Sequence, residues 1–100
     1  MLKVGLFVRL EAKNGKEAEL AAFLEKGLEL ANTESFTPLW FALKFSPSTF
    51  AVFDAFADEA GRQSHLTGEI AKALMANAPE LLASPPAIEK FDVMGAKLPR

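Results

Sequence analysis

Three side chains carry most of the chemistry open to this 100-residue chain: His65, Asp54 and Arg9. His65 is the only histidine, and histidine is the side chain that titrates near neutrality. As a functional group it would be the general base for a phenolic or quinol proton. As a structural one it would be a partly exposed helix residue, paired with Glu69 at i+4. Asp54 shares strand parity with Phe50, Val52 and Phe56, so it projects from an otherwise apolar face. A carboxylate there costs free energy unless it is paired. It is either a base with a raised pKa, or a partner for Arg9, or a cap on the following turn. Arg9 follows Phe7 near the end of the first strand, and either clamps a ligand oxygen or crosses a subunit interface to an acid. Phe50, Val52 and Phe56, with Phe23 and Leu24 from the first helix, line whatever cavity exists or fill it. Glu25 and Glu29 are an i,i+4 pair among polar positions and read as a solvated face.

Other chemistries fail on residue type. The chain has no cysteine, which removes disulfides and thiolate nucleophiles. One histidine without cysteines makes a transition-metal site a poor expectation, and no cofactor is implied. Ser64 and His65 are adjacent, so on a helix they point about 100° apart and form no catalytic serine arrangement. The six glycines spell neither a dinucleotide nor a phosphate loop. A net charge of −2 offers no broad attraction to nucleic acid. The third strand matches an RNA-recognition pattern only at Phe50 and Ala51. Arg9 and Glu11 interrupt the apolar N-terminus, arguing against a signal peptide, and no charge-free stretch is long enough for a membrane span. A soluble, cytoplasmic protein is the expectation.

These residues need elements to position them. Half of the residues are hydrophobic and 24% charged, the balance of a packed globular domain. No linker divides the chain, so residues 1–100 read as one domain. Residues 2–11 alternate, with Leu2, Val4, Leu6, Val8 and Leu10 on one face, which is a strand. Asn14, with Glu17 three residues on, reads as a helix cap. Leu20, Phe23, Leu24, Gly27, Leu28 and Ala31 give residues 15–32 an amphipathic helix. Strands follow at about Thr37–Phe45 and Thr49–Phe56, joined by the Ser46-Pro47-Ser48 turn. Asp58 caps a helix through Leu66, Thr67-Gly68 breaks it, and Ile70, Ala73 and Leu74 continue the stripe. Pro79 suits the first turn of a short helix near 79–83. A last strand spans Ile88–Met94.

The order β-α-β-β-α-β predicts an α+β, ferredoxin-like fold, a four-stranded antiparallel sheet with helices on one face. Such a sheet normally alternates apolar and polar residues if its other face meets water. The middle strands do not. Leu39, Phe41, Leu43 and Phe45 share one face of the second strand, with Trp40 and Ala42 on the other. Phe50, Val52 and Phe56 share one face of the third, with Ala51, Phe53 and Ala55 on the other. Leaving Trp40 and Phe53 exposed would create a large apolar patch. The expected remedy is a homodimer packed sheet to sheet, with Trp40 in the interface.

The topology, the two apolar faces and the stretch Phe50–Leu66 together resemble the antibiotic biosynthesis monooxygenase-like family of dimeric α+β barrels, which includes quinol monooxygenases. The matching residues are Asp54 in an aromatic strand, Phe56 two residues on, Asp58-Glu59-Ala60, and His65-Leu66. The resemblance implies a homodimeric barrel with a pocket between helices and sheet in each subunit. It also implies cofactor-independent oxygenation of a small aromatic or quinol substrate, with His65 or Asp54 as proton acceptor. The Asn, Trp and His set of the haem-degrading branch is not matched by Val8, Arg9 and Phe56. A non-catalytic dimer that binds a small hydrophobic metabolite, or serves in a stress response, is the alternative of the same fold.

Overall fold

The computed structural model describes residues 1–99. The alternating N-terminal segment forms β1 (Val4–Glu11), in which Leu6, Val8 and Leu10 are buried on one face. It is followed by α1 (Glu17–Ala31), β2 (Leu39–Lys44), β3 (Thr49–Phe56), α2 (Glu59–Leu66), α3 (Glu69–Leu81) and β4 (Ala87–Asp92). The sheet is antiparallel throughout with strand order β2-β3-β1-β4. That is the expected ferredoxin-like α+β arrangement, with the second helical region split in two. Thr67 and Gly68 mark the split, as the sequence predicts.

Helix α1 begins later than its capping signal suggests. Gly15 adopts φ 89°, a left-handed conformation that glycine tolerates and that breaks a helix. Asn14 and Gly15 therefore turn the chain, and Lys16 becomes the N-cap without a side-chain bond. Glu17 still helps by accepting from the Gly15 N–H at 3.0 Å. The tight β2–β3 connection is held by Ser46, whose Oγ accepts from the Thr49 N–H at 3.1 Å. Asp58 does cap α2, accepting from the Gly61 N–H at 2.9 Å, an interaction of about 1 kcal/mol. Pro79 does not open a separate helix; it lies inside α3, close to its end. Missing an N–H, it leaves one i−4 bond unmade, and the helix stops at Leu81.

Leu20, Leu24 and Ala31 of α1 and Ile70, Ala78 and Leu81 of α3 cover the sheet face formed by Val8, Leu10, Phe50 and Val52. Each fully buried leucine or phenylalanine there contributes about 1.5–3 kcal/mol. Trp40 belongs to this core, not to the opposite face. The β2–β3 register pairs Trp40 with Asp54 and Ala42 with Val52, and directly paired residues share a face. Parity within one strand is legible in sequence; which parity of its neighbour it joins depends on register. Phe53 is paired with Phe41 and Phe7 instead. Phe41 and Phe53 stack at 6.4 Å, and Phe53 and Phe91 at 5.2 Å, on the face that no helix covers.

Phe91 lies across its strand partner Gly5, where any Cβ would overlap the phenylalanine ring. Gly5→Ala is expected to cost about 1–3 kcal/mol through overpacking. The check is a lowered urea midpoint at unchanged m value. Phe91→Ala in the same chain should recover part of the loss, because the two positions are coupled by contact.

Candidate active site

Asp54 points from β3 into the helix-covered core and is only 1% exposed. Three elements converge on it. Helix α2 supplies His65, whose Nε2 lies 3.1 Å from Asp54 Oδ2. The loop between α1 and β2 supplies Glu34, whose Oε1 lies 2.9 Å from His65 Nδ1. Thr37, in the same loop, donates its hydroxyl proton to Glu34 Oε1 at 2.8 Å and lies 3.3 Å from His65 Nδ1. Phe56 closes the assembly, its ring tilted against the imidazole at 5.3 Å.

Local sequence explains why α2 can come so close. A Cβ on Gly61 would stand 3.2 Å from the Phe36 carbonyl, and one on Gly68 would stand 3.1 Å from Glu34 Oε2. Two glycines thus let both ends of α2 press against the Glu34 loop. One turn before His65, the buried Arg62 anchors the helix to the sheet. Its Nη1 donates to the Gly5 carbonyl at 3.1 Å and to the Phe91 carbonyl at 3.3 Å, and its Nη2 pairs with Glu59. That guanidinium holds the exposed Glu59 carboxyl below its ordinary range.

The hydrogen-bond roles follow from proton count. The Thr37 hydroxyl spends its one proton on Glu34, so the close Glu34 contact requires the proton to sit on His65 Nδ1. Glu34 therefore fixes the ring's orientation and tautomer, the task of the third member of a catalytic triad. Nε2 is left facing Asp54, with one proton to share between them. Asp54 Oδ1 has no hydrogen-bond partner among the described residues, and Oδ2 has the 3.1 Å contact with His65 Nε2. Burial pushes the Asp54 carboxyl above its ordinary pKa, more than the contact and charge of His65 pull it down, and the Glu34 charge adds to the rise. Burial opposes a charged imidazole, yet hydrogen bonds and charges from Asp54 and Glu34 outweigh it and raise the His65 pKa. The two nitrogens of His65 face different carboxylates, so the ring bridges them and does not converge with them on a point. Among the described residues no group of three or more such side chains could hold a metal ion.

The structure thus brings together His65, Asp54 and Phe56 of the residues singled out in sequence. It gives His65 neither solvent nor Glu69, and Asp54 neither Arg9 nor a capping role. Arg9 lies on the uncovered face, its guanidinium 5.0 Å from the Phe45 ring and 5.8 Å from the Phe7 ring. Phe23 packs at the α1–α3 side, lining a shallow depression with Asn77 and Leu81. Val52 sits in the core. Phe50 lines a cleft of about 400 Å³ between α1 and the free edge of β2, with Leu24, Leu28, Trp40 and Lys44 among its walls. Glu34 was invisible in the sequence: a glutamate in a short polar loop, 31 residues from its histidine, has no spacing to mark it.

With this geometry in place, comparison with known proteins gives a clear fold and a family. No protein-family model matches the chain, and no curated protein matches it. Among solved structures, an antibiotic biosynthesis monooxygenase superposes with a TM-score of 0.80 at 12% identity, covering 92% of this chain and 99% of that one. PA3566 from Pseudomonas aeruginosa superposes at 0.82 with 14% identity, covering 95% of this chain and 97% of that one. The fold is that of the antibiotic biosynthesis monooxygenase-like proteins. The NE2512 protein of Nitrosomonas europaea, of unknown function, is 69% identical over 100% of this chain and 97% of its own, with a TM-score of 0.96. The chain belongs to the same family as NE2512. No helix among the described residues is long and apolar enough to cross a membrane.

The cluster sets a pH dependence of stability. His65 binds its proton more tightly folded than unfolded, and so does Asp54. The folded state therefore holds more protons, and stability falls as pH rises. The His65 contribution is fully present below its unfolded pKa of about 6.5, and is lost as pH climbs through the raised folded value. Melting temperature measured from pH 6 upward (in roughly half-unit steps) should decline, and His65→Gln should flatten that decline.

Proposed function

We propose that the chain is a cofactor-independent monooxygenase acting on a small aromatic or quinol substrate. The observation that supports this reading is the imidazole of His65 held between the buried carboxylate of Asp54 and the partly buried one of Glu34. Asp54, pushed up by burial and short of aligned donors, is the proton acceptor. Taking a proton from the substrate places one more on the Asp54–His65 pair, which Glu34 steadies from the far side. The substrate anion is the reductant. It adds O₂ at carbon to give a hydroperoxide, which loses water and leaves a carbonyl, so that a CH₂ and O₂ become C=O and H₂O. The protein contributes binding, the base and exclusion of water.

Oxygen uptake by metal-stripped protein with a panel of quinols and anthrones tests this. Asp54→Asn and His65→Ala are each expected to slow uptake about 100-fold or more, the usual contribution of a positioned base. Uptake no faster than the uncatalysed reaction across the panel would sink the reading in favour of a binding protein. Uptake unchanged in both variants would remove the cluster from the mechanism.

The partner proposed for the uncovered face is a second copy of this chain. Phe7, Phe41, Phe53 and Phe91 line that face, and Phe41 remains 53% exposed in the single chain. An aromatic patch of this kind is an interface anchor. Light scattering should give a mass near twice 10.8 kDa. Phe53→Asp, which would bury a charge at the centre of the contact, should shift the mass to that of one chain. A wild-type mass of one chain would refute the dimer.

A further inference from the structure

We propose that Trp40 is a movable partition between the α1–β2 cleft and the acid cluster, and that its indole N–H joins Asp54 in binding a ligand hydroxyl. The inference rests on the proposed function above and adds the route and the positioning residue. Its geometry comes from the order of residues along three elements. On α1, Ala21, Leu24, Glu25 and Leu28 line the cleft. Gly27 touches the Trp40 ring, and Glu34 lies beyond the helix end. On β2 and the segment before it, Thr37 belongs to the cluster, while Ala42 and Lys44 belong to the cleft. On β3, Asp54 is the direct strand partner of Trp40, and Phe50 lies at the cleft. Along β2 the order is cluster, Trp40, cleft, and on β3 Asp54 stands level with Trp40 while Phe50 lies toward the cleft. Trp40 closes the inner end.

Two observations say that this inner end is built to take a ligand hydroxyl. Trp40 Nε1 is buried without a hydrogen-bond partner among the described residues, and so is Oδ1 of the neighbouring Asp54, whose Oδ2 faces His65 Nε2. A buried polar group left unpaired destabilises the fold unless a partner arrives. One hydroxyl would answer both, since its oxygen accepts from the indole N–H while its proton is donated to the carboxylate. Against α1 the indole packs directly on Gly27, so close that a Cβ there would stand 3.2–3.3 Å from its ring, and the ligand's own burial has to offset the loss of this contact when the indole moves. An aryl ring then occupies the apolar cleft, beside Leu24, Leu28 and Phe50, with its hydroxyl directed inward.

The chain has one tryptophan and one histidine, so each reports alone in NMR spectra. The experiment adds 1-naphthol to the full protein without oxygen, with naphthalene as the hydroxyl-free control. The expected result is a downfield shift of the Trp40 indole N–H together with a displaced His65 ring resonance under naphthol. Naphthalene should perturb Trp40 and leave His65 in place. A His65 shift with Trp40 unmoved would overturn the proposal by showing entry elsewhere. A Trp40 shift with His65 unmoved would overturn it by showing that the partition stays shut. Equal effects of the two probes, or none, would remove the hydroxyl from the argument. These readouts need no turnover, so an inactive protein can satisfy them and an active one can fail them.

Discussion

A carboxylate in an apolar core must be compensated where it stands. Removing an ion from water costs several kcal/mol even after the surroundings relax. Asp54 sits on the same sheet face as Phe50 and Val52, so its compensation has to be delivered from outside the sheet. His65 delivers it, and Glu34 and Thr37 in turn hold His65. Much of the irregular structure serves this requirement. The break at Gly68, the short α2 and the close approach at Gly61 bring the histidine and the Glu34 loop to one place.

The cluster is also a conflict maintained by the fold. Two acids and one imidazole share a dehydrated volume, and the acids repel each other across the ring. Such an arrangement is a poor investment in stability, because hydrophobic residues of similar volume would commonly do as well or better. The proposed proton transfer would give it a use: burial raises the basicity of Asp54, while the fixed Nδ1 proton leaves Nε2 facing it. Arg62 is the counterexample in the same helix. Its buried guanidinium spends its Nη donors on backbone carbonyls and Glu59, and its task is to tie α2 to β1 and β4.

The sheet divides its two faces by function. One face carries the core, the cluster and the wall of the cleft; the other carries the aromatic row and Arg9. Trp40 and Phe41, adjacent in sequence, therefore belong to different stories. The first packs against Gly27 under α1, and the second stacks on Phe53 in the open. Gly5 makes the second arrangement possible by leaving room for Phe91.

Period and punctuation were enough for the elements. Strict alternation in residues 2–11, the apolar stripe of the first helix, the Asp58 cap and the Thr67-Gly68 break all stand in the structure because each is a local preference satisfied locally. The Asn14 cap and the separate Pro79 helix failed for local reasons too: Gly15 turned the chain first, and α3 ran on through the proline. The site was half legible. Asp54 marked itself as a charge with apolar parity, and His65 as the only titrating group near neutrality. Neither Glu34 nor the side taken by Trp40 could be read, because both depend on strand register and on how a loop meets a helix far away in sequence. Local patterns specify which face of an element is apolar; only packing the elements decides what each face meets.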